Sequence, residues 1–499
     1  LAKLVKKLAS CEKRDSDMND KELEAAIQQL KSSHTDNQSI EVKESVGKMP
    51  STIAETISAF ANGSGGTIIL GLSEENDFEP AKGFDARRIA DALSQACSDK
   101  LTPPVRADID ILEHGDANVV VASIDEILPR DKPCYVTSKG MYRGSFIRSF
   151  DGDRKLSPYE IDRLLEDKTQ PSYDAEIVAK STMDDLNKNL LDDVIQRQKS
   201  LHPRLFASFS DEEIAINLRI AARDADGILR PTLAGLLALG AYPQKYFPRL
   251  TVTFAAYPEE DKASAGGVKY LDTEKMAGPI PAIIADTVAA VRRNTRLGGA
   301  MVGAKRVDVP DYPPAAVREA VCNALMHRDY SELARGTQVQ VNLYSDRLEF
   351  LSPGGLYGTV TTATVATAGY SSTRNQYLAD ILESTPYEGG FVAENRGTGF
   401  KLMKLELGRN RMEAPIVKDS IAMFSLEFRR RESHTSIESA YDDIIAFVAA
   451  NAPCSAGEIS EGLDIPRSTV TYRLKKLIDE RKLERIGAER SRNQRYRLP

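Results

Sequence analysis

The sequence has few cysteines and no long apolar run, and both absences exclude whole classes of protein. Its five cysteines are scattered without a CxxC pair, and no Cys and His stand at metal-ligand spacing, so neither a disulfide framework nor a structural zinc site is expected. No segment approaches the roughly 20 unbroken apolar residues of a membrane span, and the N-terminus lacks the apolar region of a secretory signal. We therefore expect a cytoplasmic protein without a membrane partner.

A Walker nucleotide motif is also missing, because GxxxxGK[ST] occurs nowhere in the 499 residues. This absence excludes a P-loop motor such as a helicase. The chain is longer than the about 100 to 200 residues of an ordinary domain, so we expect three or four units.

Charge is distributed unevenly along the chain, although the net charge is only −7. Between Arg467 and Arg497, eleven Lys or Arg stand against four Asp or Glu, an excess of seven positive charges. The rest of the chain therefore carries −14. A basic end on an acidic body predicts a polyanionic partner for that end.

The segment from about Ala440 to Pro499, within a predicted domain 433–499, shows the pattern helix, helix, turn, helix and two strands. Ser455 and Glu458 form a capping box that opens the second helix, Pro466 ends it, and Ser468 is predicted to cap the third. The pattern resembles the MarR- and ArsR-like bacterial winged helices, which implies binding of duplex DNA. The alternative is a protein-binding winged helix with a solvated basic face.

In such a module, the third helix enters the major groove and the Arg-rich wing contacts phosphates or the minor groove. The predicted nucleic-acid contacts are Arg467, Ser468, Thr469, Arg473, Lys476, Arg490, Arg492 and Arg495.

The N-terminal part is predicted to contain a charged helical arm, 1–33, and an α/β domain, 34–170. A helix from about Ser51 to Asn62 is followed by a glycine-rich turn and a buried strand. The turn comes before a strand, which is the reverse of a phosphate-binding P-loop.

The ordered motifs EVK, AFANGSGGTIILGL, LTPPV, KPCYV, MYRGSFIRSF and LSPYEIDRLL, from about Asp36 to Lys168, resemble the Schlafen/AlbA-type domain. The resemblance implies an α+β fold that binds nucleic acid. We expect phosphate contacts from Lys43, Arg143 and Arg148, although solvated charges at strand edges explain the same residues.

In some relatives this scaffold cuts RNA with carboxylates that hold a divalent metal. The resemblance therefore implies an alternative function, a metal-dependent nuclease acting on RNA such as tRNA, or on DNA. Its candidate catalytic acids are Asp36, Glu41 and Glu74, and all three could equally be ordinary surface carboxylates.

The middle of the chain is predicted to consist of a scaffold, 171–307, and a second α/β module, 308–432. Pro313 and Pro314 begin a helix on which Glu319, Asn323 and His327 share one face. Polar residues on an otherwise apolar helix need partners, so the face predicts either a binding site or a hydrogen-bonded structural cluster.

This helix, a hairpin that turns at Ser345-Asp346 and ends in SPGG, and a GTG that opens a helix together resemble the GHKL ATPase fold, from about Asp308 to Arg429. The resemblance implies ATP and Mg²⁺ as ligands, with Glu319 activating water and Asn323 holding the metal. The other predicted nucleotide-binding residues are His327, Ser352, Gly354, Gly397 and Gly399.

Ser352 stands where the family has the Asp that contacts adenine, which weakens the prediction of adenine recognition. Arg374 and Asn375 precede a helix and are expected to line the same cleft, unless Asn375 caps that helix.

The fold class is therefore α/β multidomain, with a Schlafen/AlbA-like α+β domain, a GHKL-like α/β sandwich and a winged helix-turn-helix. This order resembles a bacterial and archaeal family of transcriptional regulators. We expect a dimeric, DNA-binding regulator whose middle module senses a nucleotide or supports dimerisation. The alternative is the nuclease, in phage defence, with the winged helix as a docking arm.

Overall fold

The structure is a computed structural model. It describes residues 19–33, 39–149, 152–262, 269–295, 297–302, 305–366, 372–388, 390–393, 397–431, 444–445, 447–449, 451–463, 467–479, 482–487 and 494–498. The chain divides into two compact units, Leu1–Arg430 and Arg431–Pro499. The mixed α/β, multidomain architecture predicted from the sequence is confirmed.

The N-terminal domain is built on a four-stranded sheet of order β1-β2-β7-β6, in which β1 and β2 are parallel and the other pairs antiparallel. In chain order its elements are α1 (Asp20–Ser33), β1 (Ile40–Lys43), α2 (Ile53–Asn62), β2 (Gly66–Leu70), β3 (Leu72–Ser73), β4 (Glu79–Pro80), α3 (Ala86–Asp99), β5 (Leu101–Thr102), β6 (Ala107–His114), β7 (Ala117–Ile124), β8 (Tyr135–Val136), α4 (Met141–Gly144), β9 (Phe146–Ser149), β10 (Gly152–Lys155) and α5 (Pro158–Glu166).

Side-chain alternation along β2 gives this sheet two buried faces. Ile68 and Leu70 pack with residues of α2 and α3 on one face, whereas Ile69 packs with Leu23 and Leu30 of α1 on the other. The predicted helical arm thus supplies a helix that belongs to the core of the domain, because its apolar residues cover one face of the sheet.

The middle module is built on a six-stranded sheet of order β14-β13-β17-β18-β22-β21. In chain order its elements are α6 (Lys188–Leu201), α7 (Pro203–Phe206), α8 (Asp211–Asn217), β11 (Ala221–Arg223), β12 (Leu229–Pro231), α9 (Leu233–Leu239), β13 (Val252–Ala256), β14 (Asp272–Met276), α10 (Ile280–Asn294), β15 (Leu297–Val302), β16 (Lys305–Pro310), α11 (Pro314–Met326), β17 (Val339–Leu343), β18 (Arg347–Pro353), α12 (Gln376–Ser384), β19 (Pro386–Tyr387), β20 (Gly390–Phe391), α13 (Gly399–Arg409), β21 (Ile416–Ser420) and β22 (Met423–Arg429).

The scaffold segment and the GHKL-like segment share this sheet and one hydrophobic core. Strand β13, from the scaffold, pairs in parallel with β17, and α10 packs in the same core as α11. The predicted hairpin β17–β18 and the predicted start of α11 at Pro314 are both confirmed. The hairpin and α11 place the candidate site residues on two neighbouring layers.

The C-terminal unit contains α14 (Ala456–Gly462), α15 (Arg467–Asp479), β23 (Glu484–Ile486) and β24 (Arg495–Arg497), and the two strands pair antiparallel. The predicted capping box is confirmed, because Ser455 Oγ accepts a hydrogen bond from Glu458 N and Glu458 accepts one from Ser455 N. A core that includes Ile444, Ile459 and Leu474 joins the described elements of this unit.

Candidate nucleotide pocket and nucleic-acid interfaces

The structure brings the predicted nucleotide-binding residues to one cavity. This cavity, of about 160 Å³, lies between α11, the end of β18, β22 and the start of α13. We call it the central pocket. The predicted residues that line it are Asn323, His327, Ser352, Gly354, Gly397 and Gly399. Predicted residues from three separate segments therefore converge on one site, although their roles stay predictions.

Glu319 and Asn323 meet at the N-terminus of α13. Asn323 Nδ2 donates a hydrogen bond of 3.1 Å to Glu319 Oε1, and a Cβ at Gly399 would collide with the same Glu319 oxygen. With its nitrogen committed to Glu319, Asn323 presents Oδ1 as the atom that can ligate a hard cation. This oxygen fits one ligand position of a Mg²⁺ ion, and metal binding by Asn323 stays a prediction.

Ser352 lines the central pocket from β18 and is almost completely buried. Its Oγ donates a hydrogen bond of 2.8 Å to Ala324 O on α11. Since the hydroxyl hydrogen is committed to this carbonyl, Ser352 offers the pocket an acceptor. Ser352 therefore presents an acceptor without the negative charge of the Asp that the family has there, and adenine recognition stays a prediction.

His327 follows α11 and lies half-buried in the pocket wall. Burial, with the positive charge of Arg374 nearby, lowers the pKa of His327 to about 4. The imidazole is therefore neutral at physiological pH, and it contributes a polar ring without charge to the pocket.

Sequence reasoning missed the apolar part of the central pocket. Phe350 and Leu426 line it from β18 and β22, and Phe400 and Met403 line it from α13. The alternation of β18 and the helical spacing of α13 were the available signals, but such residues are more often ordinary core. A small polar end and a larger apolar wall are typical of a ligand pocket.

Arg374 and Asn375 lie beside the pocket rather than in its lining. Asn375 Nδ2 donates to Met326 O at 2.9 Å and to Arg328 O at 2.8 Å. Asn375 stands at the N-cap position of α12, but its side chain makes no capping hydrogen bond, because the α12 amides of Tyr377 and Leu378 donate instead to the buried Asp174. Asn375 therefore secures the end of α11.

Glu41, the first candidate catalytic acid, is buried in an ion-pair cluster in the N-terminal domain. Its Oε1 lies 2.7 Å from Lys43 Nζ, and its Oε2 lies 2.6 Å from Arg148 Nη2. Arg148 also pairs with Asp153 at 3.2 Å, and Thr56 Oγ1 donates to Asp153 at 2.7 Å. The expected phosphate contact by Arg148 does not fit this position, because the guanidinium is buried and paired.

Of the other two candidate acids, only Glu74 is described, and it does not form a metal site with Glu41. Glu74 is exposed at the start of a 3₁₀ turn, Glu74–Asn76, and Asp36 lies outside the described residues. Within the described part of the chain, no group of three or more His, Cys, Asp or Glu is placed to hold a metal ion. Lys43 is half-buried and Arg143 exposed on α4, so both remain candidates for phosphate contact.

Helix α15 carries most of the predicted contacts of the winged helix. Arg467 and Lys476 are exposed, whereas Thr469 and Arg473 are half-buried. Ser468 lies inside α15 rather than before it, so the prediction that it caps this helix is wrong; its side chain is outside the described set.

The outward face of α15 contains residues that the sequence analysis did not select as contacts. Val470, Leu474 and Leu477 are buried in the core of the unit, which turns Tyr472 and Lys475 to the opposite side. Tyr472 is 71% exposed and Lys475 is also exposed. The helical offset of Tyr472 from Val470 and Leu474 was a signal that could have identified it.

Of the three predicted wing contacts, only Arg495 lies within the described residues. Arg495 Nη1 donates to Pro453 O at 2.9 Å and pairs with Glu458 at 3.2 Å, so it ties β24 to α14. Arg490 and Arg492 lie outside the described residues.

Family models match four segments of the chain. Residues 36–157 match the model described as "Schlafen, AlbA_2", and residues 162–253 match a domain of unknown function, DUF8451. Residues 336–428 match "Putative ATP-dependent DNA helicase recG C-terminal", and residues 443–485 match "Helix-turn-helix domain". The third match begins after α11, so Glu319 and Asn323 lie outside it.

The chain has distant similarity to solved structures. The crystal structure of the DIP2311 protein from Corynebacterium diphtheriae is 18% identical, with 96% of each chain covered and a TM-score of 0.39. The N-terminal domain of a RecG-related protein from Nitrosomonas europaea is 22% identical, with 27% of this chain and 94% of that chain covered and a TM-score of 0.22. These similarities transfer no role to any residue. No curated protein matches the chain.

None of the helices in the described part of the chain has the length and hydropathy that a membrane span requires. The order of the matched segments confirms the domain architecture predicted from the sequence. From one end to the other, the chain combines a Schlafen AlbA_2-type domain, a DUF8451-type segment, a RecG C-terminal HATPase-like domain and a helix-turn-helix domain.

Proposed function

We propose that this protein is a DNA-binding transcriptional regulator that senses an adenine nucleotide. In this proposal, α15 enters the major groove of duplex DNA, and two winged helices of a homodimer contact two half-sites. The central pocket binds ATP with Mg²⁺, and the N-terminal domain adds a second nucleic-acid contact through Lys43 and Arg143.

The observation that carries the proposal is the outward face of α15. Tyr472, Lys475 and Lys476 are exposed there, while the apolar residues of the helix are buried. Exposed cations neutralise phosphates, and an exposed aromatic ring can contact base edges such as the thymine methyl group. The alternative of a protein-binding face does not require this combination of cations and one exposed aromatic residue.

The two kinds of contact predict different salt dependences. Lys475→Ala is expected to reduce the slope of log affinity against log salt concentration by about 1, because one phosphate contact is lost. Tyr472→Ala is expected to weaken binding to the protein's preferred duplex by about 1 to 3 kcal/mol without changing that slope. Fluorescence anisotropy over a salt series with the full chain measures both effects.

Lys188→Ala is the matched control, because Lys188 is an exposed lysine on α6 of the other unit. It is expected to change neither the affinity nor the slope. If Lys475→Ala behaves like Lys188→Ala, α15 is not the DNA-binding helix. If footprinting finds no preferred duplex sequence, the protein is not a site-specific regulator.

The nucleotide part of the proposal predicts that ATP with Mg²⁺ gives a binding isotherm in calorimetry. Asn323→Ala is expected to weaken ATP binding at least about tenfold, because the residue would hold the metal and support Glu319. Asn189→Ala, at an exposed position on α6, is the control and is expected to bind like the wild type. Absence of heat with the wild-type protein would remove the sensor from the proposal.

We do not favour the nuclease alternative, because the carboxylate of Glu41 is engaged by two cations of its own domain. A metal ion would have to displace Lys43 or Arg148 to reach it. Cleavage of tRNA, single-stranded DNA or duplex DNA by the purified chain in Mg²⁺ or Mn²⁺ would contradict this choice.

A further inference from the structure

The edge of the central pocket is a segment that we call the pocket rim, residues 354–366, directly after β18. Its residues Gly354, Gly355, Leu356, Tyr357 and Val360 line the cavity. The rim is held to a large extent by side chains that belong to the N-terminal domain or to the residues just after α5. All of these contacts lie within the first compact unit, Leu1–Arg430.

Arg374 makes the first tie. Its guanidinium donates to Gly355 O at 3.1 Å and to His327 O at 3.4 Å, and it pairs with Asp167 at 2.9 Å. Asp167 directly follows α5, the last helix of the N-terminal domain. Arg374 is almost completely buried, and its Nε has no hydrogen-bond partner among the described residues. One buried cation thus joins two pocket residues to the N-terminal domain.

Two further contacts hold the rim from the same side. The hydroxyl of Tyr357 lies 3.3 Å from Gln170 Oε1. Glu126, which follows β7, accepts hydrogen bonds from Thr362 N at 3.0 Å and from Thr362 Oγ1 at 2.7 Å. The second oxygen of Glu126 pairs with buried Lys132 at 2.8 Å. Water cannot easily replace these partners, because Glu126 and Lys132 are both buried.

Helix α5 is also anchored beside the rim. Arg163 donates to Ser331 Oγ at 2.7 Å and lies 3.5 Å from Asp329. The backbone amide of Asp329 donates to Pro353 O at 2.8 Å, immediately before the rim. Movement at the start of the rim would therefore alter two contacts at α5, the ion pair of Asp167 with Arg374 and the contact of Arg163 with Asp329.

We propose that occupancy of the central pocket changes the affinity of the N-terminal domain for nucleic acid, and that Arg374 and Asp167 transmit the change. A ligand in contact with Gly355 and Tyr357 shifts groups that Arg374 and Gln170 hold. Because the guanidinium is buried, losing a partner is costly. If Gly355 moves, Arg374 either moves with it and strains its ion pair with Asp167, or retains that ion pair and loses the hydrogen bond to Gly355 O. These two states place α5 differently. This inference rests on the proposed function and adds its regulation.

Linkage requires that the effect be reciprocal. In the full chain, ATP with Mg²⁺ is expected to change the affinity for mixed-sequence duplex DNA by at least roughly fivefold, and DNA should change the affinity for ATP by the same factor. Calorimetry and anisotropy give the two factors independently. Asp167→Asn is expected to bring both factors close to one, and Asp167→Glu, which restores the charge, should recover part of the coupling.

Asp224→Asn is the matched control. Asp224 pairs with Arg230 in the β11–β12 hairpin, and its side chain is 19% exposed, compared with 22% for Asp167. In this control variant, ATP and DNA are expected to change each other's affinity by the same factor as in the wild type. Full coupling in Asp167→Asn would show that this ion pair does not transmit the signal and would overturn the proposal.

Amide exchange gives a test that depends neither on a variant nor on DNA. ATP is expected to alter exchange in α5 of the wild-type chain, whereas unchanged exchange in α5 despite measurable ATP binding would overturn the inference. Failure of the wild-type chain to bind ATP at all is a different result, since it removes the proposed nucleotide sensor itself. Binding of both ligands without mutual effect leaves the proposed function intact and ends only the coupling.

Discussion

Glu41→Ala is expected to lower the free energy of unfolding by about 3 to 5 kcal/mol, because it removes one partner from a buried ion pair. Arg148 would lose this carboxylate and keep its contact with Asp153 at 3.2 Å, in a site where its side chain is 4% exposed. The cluster of Glu41, Lys43, Arg148 and Asp153 is neutral, so the variant leaves an excess of one positive charge around the buried Arg148. Urea denaturation of the full chain measures the loss.

Lys43→Ala provides a control within the same cluster. Lys43 pairs with the other oxygen of Glu41, but its side chain is 35% exposed, so its removal is expected to cost less than about 1 kcal/mol. Equal stability of Glu41→Ala and the wild type would show that the pair contributes nothing to the fold, and Glu41 would then be open to a role in metal binding. A nuclease assay on Glu41→Ala is interpretable only beside this measurement.

Features that depend on near neighbours in the chain were predictable from the sequence. The capping box at Ser455 and Glu458, the start of α11 at Pro314 and the shared face of Glu319 and Asn323 each follow from residues at most four positions apart. Local rules of capping and helical spacing determine them. For this reason the polar residues of the central pocket could be predicted from the sequence, whereas its apolar lining residues could not.

The features that the sequence did not reveal depend on distant partners. Asp167 and Arg374 are 207 positions apart, and Glu126 and Thr362 are 236 apart. No periodicity links such residues, and an isolated Arg next to a strand looks the same whether it is buried or solvated. Arg148 was predicted as a phosphate contact because it lies beside an aromatic residue at a strand end, and its ion pair with Glu41 became evident only from the folded structure.

Gly354→Ala is expected to destabilise the protein by about 2 to 5 kcal/mol and to abolish ATP binding. Gly354 has φ +92°, and a Cβ there would collide with Arg374 Nη1 and lie 2.9 Å from Asp329 Cβ. The left-handed backbone costs about 1 to 2 kcal/mol for a residue with a Cβ, and displacing buried side chains adds about 1 to 3 kcal/mol. The displaced residues hold the pocket rim, so binding is lost together with stability.

Gly227→Ala separates the free-energy cost of the left-handed backbone from the cost of displacing buried side chains. Gly227 has a similar φ, +79°, in a turn outside the pocket, and a Cβ there meets nothing within 4 Å. We therefore expect Gly227→Ala to show only the backbone cost, about 1 to 2 kcal/mol, with ATP binding retained. Thermal unfolding and calorimetry on both variants give the comparison. If the two substitutions have equal effects, the contact between Gly354 and Arg374 does not constrain the rim, and the tie from the pocket to Asp167 loses its structural basis.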